Sequence, residues 1–152
     1  YDNPSVAGTA VAAHEVGHAI QHATSYKFLS FRSALVPLAN LGSNFSYFLI
    51  IAGIILTAAQ NAAGGGLGEI LLWSGIGLMA FAVLFQVVTL PVEFDASKRA
   101  MNQIEELNIV NSKEYRHAKK VLNAAAMTYV AATAVAVAEL LRFIMIARNS
   151  SN

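Results

Sequence analysis

The sequence predicts an all-α integral membrane protein, and three observations carry that prediction. Charged residues make up only 12% of the chain against 56% apolar residues, about half the charge of an ordinary soluble domain. Two long apolar runs, near 43–60 and 69–91, are separated by a short glycine-rich stretch, "QNAAGGGLG". Residues 13–22, "AHEVGHAIQH", place histidines at helical spacing in a segment without proline.

Taken in order, "NPS" at Asn3–Ser5 reads as a turn, with Ser5 an N-cap for a helix over 5–26. Its apolar part before His14 is eight residues, whereas crossing a bilayer takes about 20. This helix therefore belongs at a membrane surface or in a soluble lobe. A mixed segment, Lys27–Ser46, is punctuated by Pro37 and Gly42. The spans 43–60 and 69–91 follow as a transmembrane hairpin. Residues 92–120 form a polar helical segment in which Asn111 and Glu114 have capping-box spacing. A third span is expected over 121–147, carrying Glu139 and Arg142 either as an i,i+3 pair or as side chains reaching the interface. The whole is expected to be a single domain, and a fragment lacking an N-terminal region, because the chain opens at Tyr1 and shows no signal-peptide pattern.

Eight of the ten Lys and Arg residues flank the hairpin, and the stretch between its two spans has none. By the positive-inside rule both flanks lie in the cytoplasm, and the histidines and Glu93 share that side. The net charge is +1 and there are no cysteines. The first gives no footprint for nucleic acid; the second excludes disulfides and cysteine-rich zinc sites.

"HEVGH" is the H-E-x-x-H pattern. His14 and His18, at i and i+4, share a helical face and can converge on one Zn²⁺ ion. Glu15 is turned about 100° from His14, where it can act on water beside the metal as a general base. Gly17 leaves room for the close approach of a neighbouring element or a substrate. His22 is read as lying outside the ligand set, because i to i+8 on an unbroken helix spans about 12 Å. A fold-back glycine of the kind used by three-histidine zincins is missing from the intervening Ala19, Ile20 and Gln21. A further ligand must come from elsewhere, and six acidic residues follow the hairpin. Glu93 follows Pro91 closely, where the hairpin can return it to the histidine helix. On the residues alone, a ligand and a solvated helix-start glutamate are nearly balanced readings of it. Asp95 is expected to pair with Arg99 at i+4.

Four segments, "AVAAHEVGHAIQH", "RSALVPLANLGSN", "FQVVTLPVEFDASKRA" and "KVLNAAAMTYVAA", closely resemble the YugP-type membrane zinc metallopeptidases of bacteria, along essentially the whole chain. More distantly, the arrangement is similar to the HtpX and CAAX-prenyl protease gluzincins. Those enzymes have H-E-x-x-H on one helix, a transmembrane hairpin, and a downstream glutamate ligand. The resemblance implies a zinc-dependent metalloendopeptidase of the bacterial inner membrane that faces the cytoplasm and acts on membrane-associated or misfolded polypeptides. It assigns His14, His18 and Glu93 to Zn²⁺ and Glu15 to catalysis. This sequence departs from the distant pattern at Ser97, where an aspartate is expected. The departure bears on support of the site rather than on the ligand, and Asp95 can compensate. Arg99, Tyr129 and Asn123 are candidate oxyanion donors, each with an ordinary alternative in ion pairing or helix packing.

Two rivals remain. An intramembrane site-2-type protease would need H-E-x-x-H inside a spanning helix and an aspartate in another span. A non-catalytic zinc-binding scaffold or assembly factor would close its site with a fourth protein ligand, for which Asp95 and His22 are the candidates.

Overall fold

A computed structural model describes residues 5–60 and 66–150, apart from the side chains of Gln60 and Ser150. The expected turn at Asn3 and Pro4 and most of the glycine-rich connection lie outside the described residues. Four helices make up the described chain: α1 (Val6–Ala23), α2 (Lys27–Gln60), α3 (Leu67–Glu106) and α4 (Ser112–Ser150). The last three are each long and apolar enough to cross a membrane, and α1 is not among them. The protein is an all-α, multi-pass membrane protein.

Local signals set the helix ends. Ser5 Oγ accepts the Gly8 amide at 3.0 Å, capping α1. Asn111 Oδ1 accepts the amides of Lys113 and Glu114, while the Glu114 carboxylate accepts the Asn111 amide, all at 3.0 Å. This is the reciprocal capping box. Between α3 and α4, Asn108 takes φ 47°, a left-handed conformation that asparagine tolerates at helix C-termini.

Two helices are longer than the sequence pattern suggests. Pro37 lies inside α2, so the segment 27–46 is continuous with the first span. Pro91 lies inside α3, which joins the second span to the polar helix that follows. A proline removes one helical hydrogen bond and its ring crowds the preceding turn. Membrane helices accommodate this, because neighbouring groups re-satisfy the freed backbone. α4 likewise continues from the polar segment through the third apolar run.

The chain divides into two compact units: Tyr1–Arg32 with Val88–Ala131, and Ser33–Val87 with Ala132–Asn152. The first has a core of small and aliphatic residues, including Ala10, Ala13, Ala100, Ile104, Ala118 and Leu122. The second is centred on Ile50, Leu72, Ile76, Met79, Val83 and Phe143.

In the second unit, a Cβ on Gly53 would strike the Leu72 backbone, and one on Gly75 would meet Ile50 N at 2.8 Å and Ser46 O at 2.9 Å. Residue numbers fall along α2 as they rise along α3, so these segments run antiparallel as a hairpin. Small residues at the seam let the two backbones touch, the usual solution where lipid is as apolar as leucine. Phe48, Ile55, Ile70 and Val135, all more than 60% exposed, form the outward apolar surface that lipid covers. Glu139 accepts a hydrogen bond from the Tyr47 hydroxyl. The Arg142 guanidinium lies 5.1 Å from the Phe143 ring centroid.

Candidate metal centre

The first unit brings one turn of α1 against one turn of α3. Gly17 makes this approach possible: a Cβ there would be driven into the Ala96 carbonyl. The expectation of a close neighbour at Gly17 is met by backbone, not by open space. Three positions before Ala96, Glu93 is 4% exposed and its carboxylate faces the histidines.

His14 Nε2 and His18 Nε2 are 3.1 Å apart, with their rings nearly perpendicular at 86°. Glu93 Oε2 stands 3.2 Å from His14 Nε2 and 3.6 Å from His18 Nε2. Donors held about 2.0–2.1 Å from a tetrahedral zinc ion are separated by about 3.3 Å. The 3.1, 3.2 and 3.6 Å edges of this triangle bracket that spacing. The donor set of two imidazoles and one carboxylate therefore fits a zinc ion with one position left open. Among the described residues these three form the group able to hold a metal.

Each of the three residues has a supporting partner. Ser97 Oγ lies 3.2 Å from His14 Nδ1. Gln21 Oε1 lies 3.0 Å from His18 Nδ1. The Gln21 amide nitrogen donates to Val92 O at 2.7 Å and to Asp95 Oδ2 at 2.9 Å, and Arg99 Nε donates to the same Asp95 oxygen at 2.6 Å. The Tyr129 hydroxyl hydrogen-bonds the Glu93 carboxylate. A buried carboxylate is costly unless its oxygens are satisfied, and Glu93 has the Tyr129 hydroxyl and, at 3.2 Å, His14 Nε2 beside it. Arg99 also lies 5.7 Å from the ring centroid of Tyr26. Burial and the nearby Asp95 charge push the Tyr26 hydroxyl above the usual tyrosine range, with Arg99 acting in the opposite direction.

A family described as "Putative neutral zinc metallopeptidase" matches residues 1–148. The chain belongs to that family. It is 43% identical over 149 residues to the "Putative membrane protease YugP" of Bacillus subtilis, covering 98% of this chain and 62% of that protein. The chain thus spans less than two thirds of that relative's length. No solved structure matches. The family's description names a zinc metallopeptidase, and the relative's name a membrane protease.

With the zinc-peptidase family in view, the expected site residues divide cleanly. His14, His18 and Glu93 come together. Glu15 is exposed on α1 beside them, near enough to the Tyr129 hydroxyl for the two to interact electrostatically. His22 is exposed and stands outside the group. Asp95 is held by Arg99 and Gln21. Of the three oxyanion candidates, Tyr129 lines a cavity of about 200 Å³ together with His14, Glu93, Ser97 and apolar side chains of α1 and α4. Asn123 lines a different cavity of about 300 Å³ with Lys98 and Lys119.

Gln21 is the residue the sequence reading passed over. It is fully buried, although its position three residues after His18 on one helical face was a signal that could have found it.

Proposed function

We propose that this chain is the catalytic part of a membrane-bound zinc metalloendopeptidase of the bacterial cytoplasmic membrane. The observation that carries the reading is the triangle of His14 Nε2, His18 Nε2 and Glu93 Oε2 beside Glu15. Membership of the zinc-peptidase family supports it.

His14, His18 and Glu93 would hold the ion. When bound, zinc supplies Lewis acidity, bringing the pKa of water down to about 7 and polarising a carbonyl. Glu15 takes the proton from the attacking water and returns it to the leaving amine. A positioned general base of this kind contributes about 10²–10⁴-fold in rate. Glu93 contributes negative charge and stays fixed through its bond to Tyr129. The largely apolar lining contributed by Val11, Val121 and Leu122 beside His14 suits an apolar side chain of a membrane-associated or misfolded polypeptide.

Lys and Arg cluster on the two flanks of the α2–α3 hairpin and are absent from its connection, which favours a site facing the cytoplasm. The exposed apolar faces of α2 to α4 make the lipid bilayer the chain's other partner.

The test is proteolysis by the zinc-loaded full-length protein against its Glu15→Gln variant. The variant is expected to retain zinc and to lose about 10²–10⁴-fold in cleavage rate. Equal rates would overturn the mechanism.

A further inference from the structure

We propose that Gln21 is a positioning residue that sets the tautomer and ring orientation of His18, so that Nε2 presents a lone pair to the metal before any metal arrives. This rests on the reading of His18 as a ligand.

The donor and acceptor roles around Gln21 admit one solution. Arg99 can only donate, and it donates to Asp95 Oδ2 at 2.6 Å. The ionised Asp95 carboxylate can only accept, and so can the backbone oxygen of Val92. Both face one end of the Gln21 amide, at 2.9 Å and 2.7 Å. That end must therefore be the NH₂ group, and its two hydrogens match its two acceptors. The other end is then the carbonyl oxygen, an acceptor, 3.0 Å from His18 Nδ1. His18 Nδ1 must carry the hydrogen. In the neutral ring this leaves the lone pair on Nε2, the atom 3.1 Å from His14 Nε2 and 3.6 Å from Glu93 Oε2.

Gln21 has no exposed surface, so water does not compete for these bonds. Its partners Val92 and Asp95 flank Glu93 in the sequence, so the same amide ties the second histidine to the turn that carries the carboxylate. His14 is held differently. Ser97 can donate or accept, so its hydroxyl follows whichever tautomer His14 adopts. One ligand is locked and the other adjustable.

An amide that merely bridged two helices would be satisfied by Val92 O and Asp95 alone, so the test must read the histidine. In the metal-free full-length protein above neutral pH, nitrogen NMR of the His18 ring is expected to show hydrogen on Nδ1. Hydrogen on Nε2 would overturn the proposal. In parallel, zinc affinity is measured by chelator competition for the wild type and for His18→Ala, Gln21→Leu and Gln21→Glu.

Loss of a partner that orients a metal ligand lowers affinity about 10–100-fold, and this is expected for Gln21→Leu. Gln21→Glu keeps an acceptor facing His18 but sets a second carboxylate oxygen against the acceptors Val92 O and Asp95 Oδ2, so it too is expected to lose affinity. Wild-type affinity in that variant would overturn the assignment of the two amide ends. If His18→Ala loses zinc while Gln21→Leu binds as the wild type does, the positioning role is wrong and the ligand reading stands. If His18→Ala binds zinc unchanged, the ligand reading itself has failed. Should Gln21→Leu not fold, the wild-type tautomer decides.

Discussion

The two compact units of this protein bury different things. In Ser33–Val87 with Ala132–Asn152, the interior is aliphatic and aromatic, and α2 meets α3 at glycines that let backbone touch backbone. Its buried polar residues, Ser46 and Thr133, carry no formal charge. In Tyr1–Arg32 with Val88–Ala131, the buried polar residues include Glu93 and Gln21, each engaged by several partners. Small residues alone suffice where helices only have to pack in lipid. Placing a carboxylate and two imidazoles within about 3.6 Å takes a complete set of hydrogen bonds around them.

Gly17 offers the sharpest way to break the contrast, because it performs the packing task inside the chemical unit. Gly17→Val is expected to push α1 off the Ala96 backbone and open the ligand triangle, abolishing zinc retention in dialysis against a weak chelator. Retained zinc would show that the approach of α1 to α3 does not set the site. Gly53→Val, the matching change in the other unit, is expected to lower the melting temperature in detergent by several degrees, on the scale of a core overpacking cost of about 1–3 kcal/mol. Below its melting point the variant should still hold zinc. Zinc loss there would join two properties that the comparison separates.

A smaller effect is expected at Ser97. Ser97→Ala removes the partner of His14 Nδ1 and should weaken zinc binding about tenfold, at the low end for such partners, as read by chelator competition. An unchanged affinity would mean that Ser97 does not support the site. The smallest change should come from the outward face, where Ile55→Leu leaves melting within about 0.5 kcal/mol of the wild type. A larger shift would mean that Ile55 packs against protein instead of lipid.

Much of this was legible in the sequence because it depends on local rules. The Ser5 cap, the Asn111–Glu114 box and the Asp95–Arg99 pair each involve residues within four positions, so spacing alone exposes them. The hairpin and the pairing of His14 with His18 follow from composition and helical period. What was not legible depends on neighbours distant in the chain. Pro37 and Pro91 look like punctuation, yet the surrounding helices carry them without a break. Gln21 looks like one more polar residue on a surface helix until Val92 and Asp95, more than seventy positions later, close over it. Tyr129 could be named as a candidate from its segment, but only α4 packing shows that it reaches Glu93. Glu139 finds Tyr47 ninety-two positions away.

X-ray absorption at the zinc edge of the loaded protein reads the donor set itself. Nitrogen and oxygen donors are expected around the ion, with two imidazoles at about 2.0–2.1 Å and one carboxylate that disappears in Glu93→Ala. Three imidazoles, one of them lost in His22→Ala, with Glu93→Ala unchanged, would contradict the assignment of Glu93 to the metal.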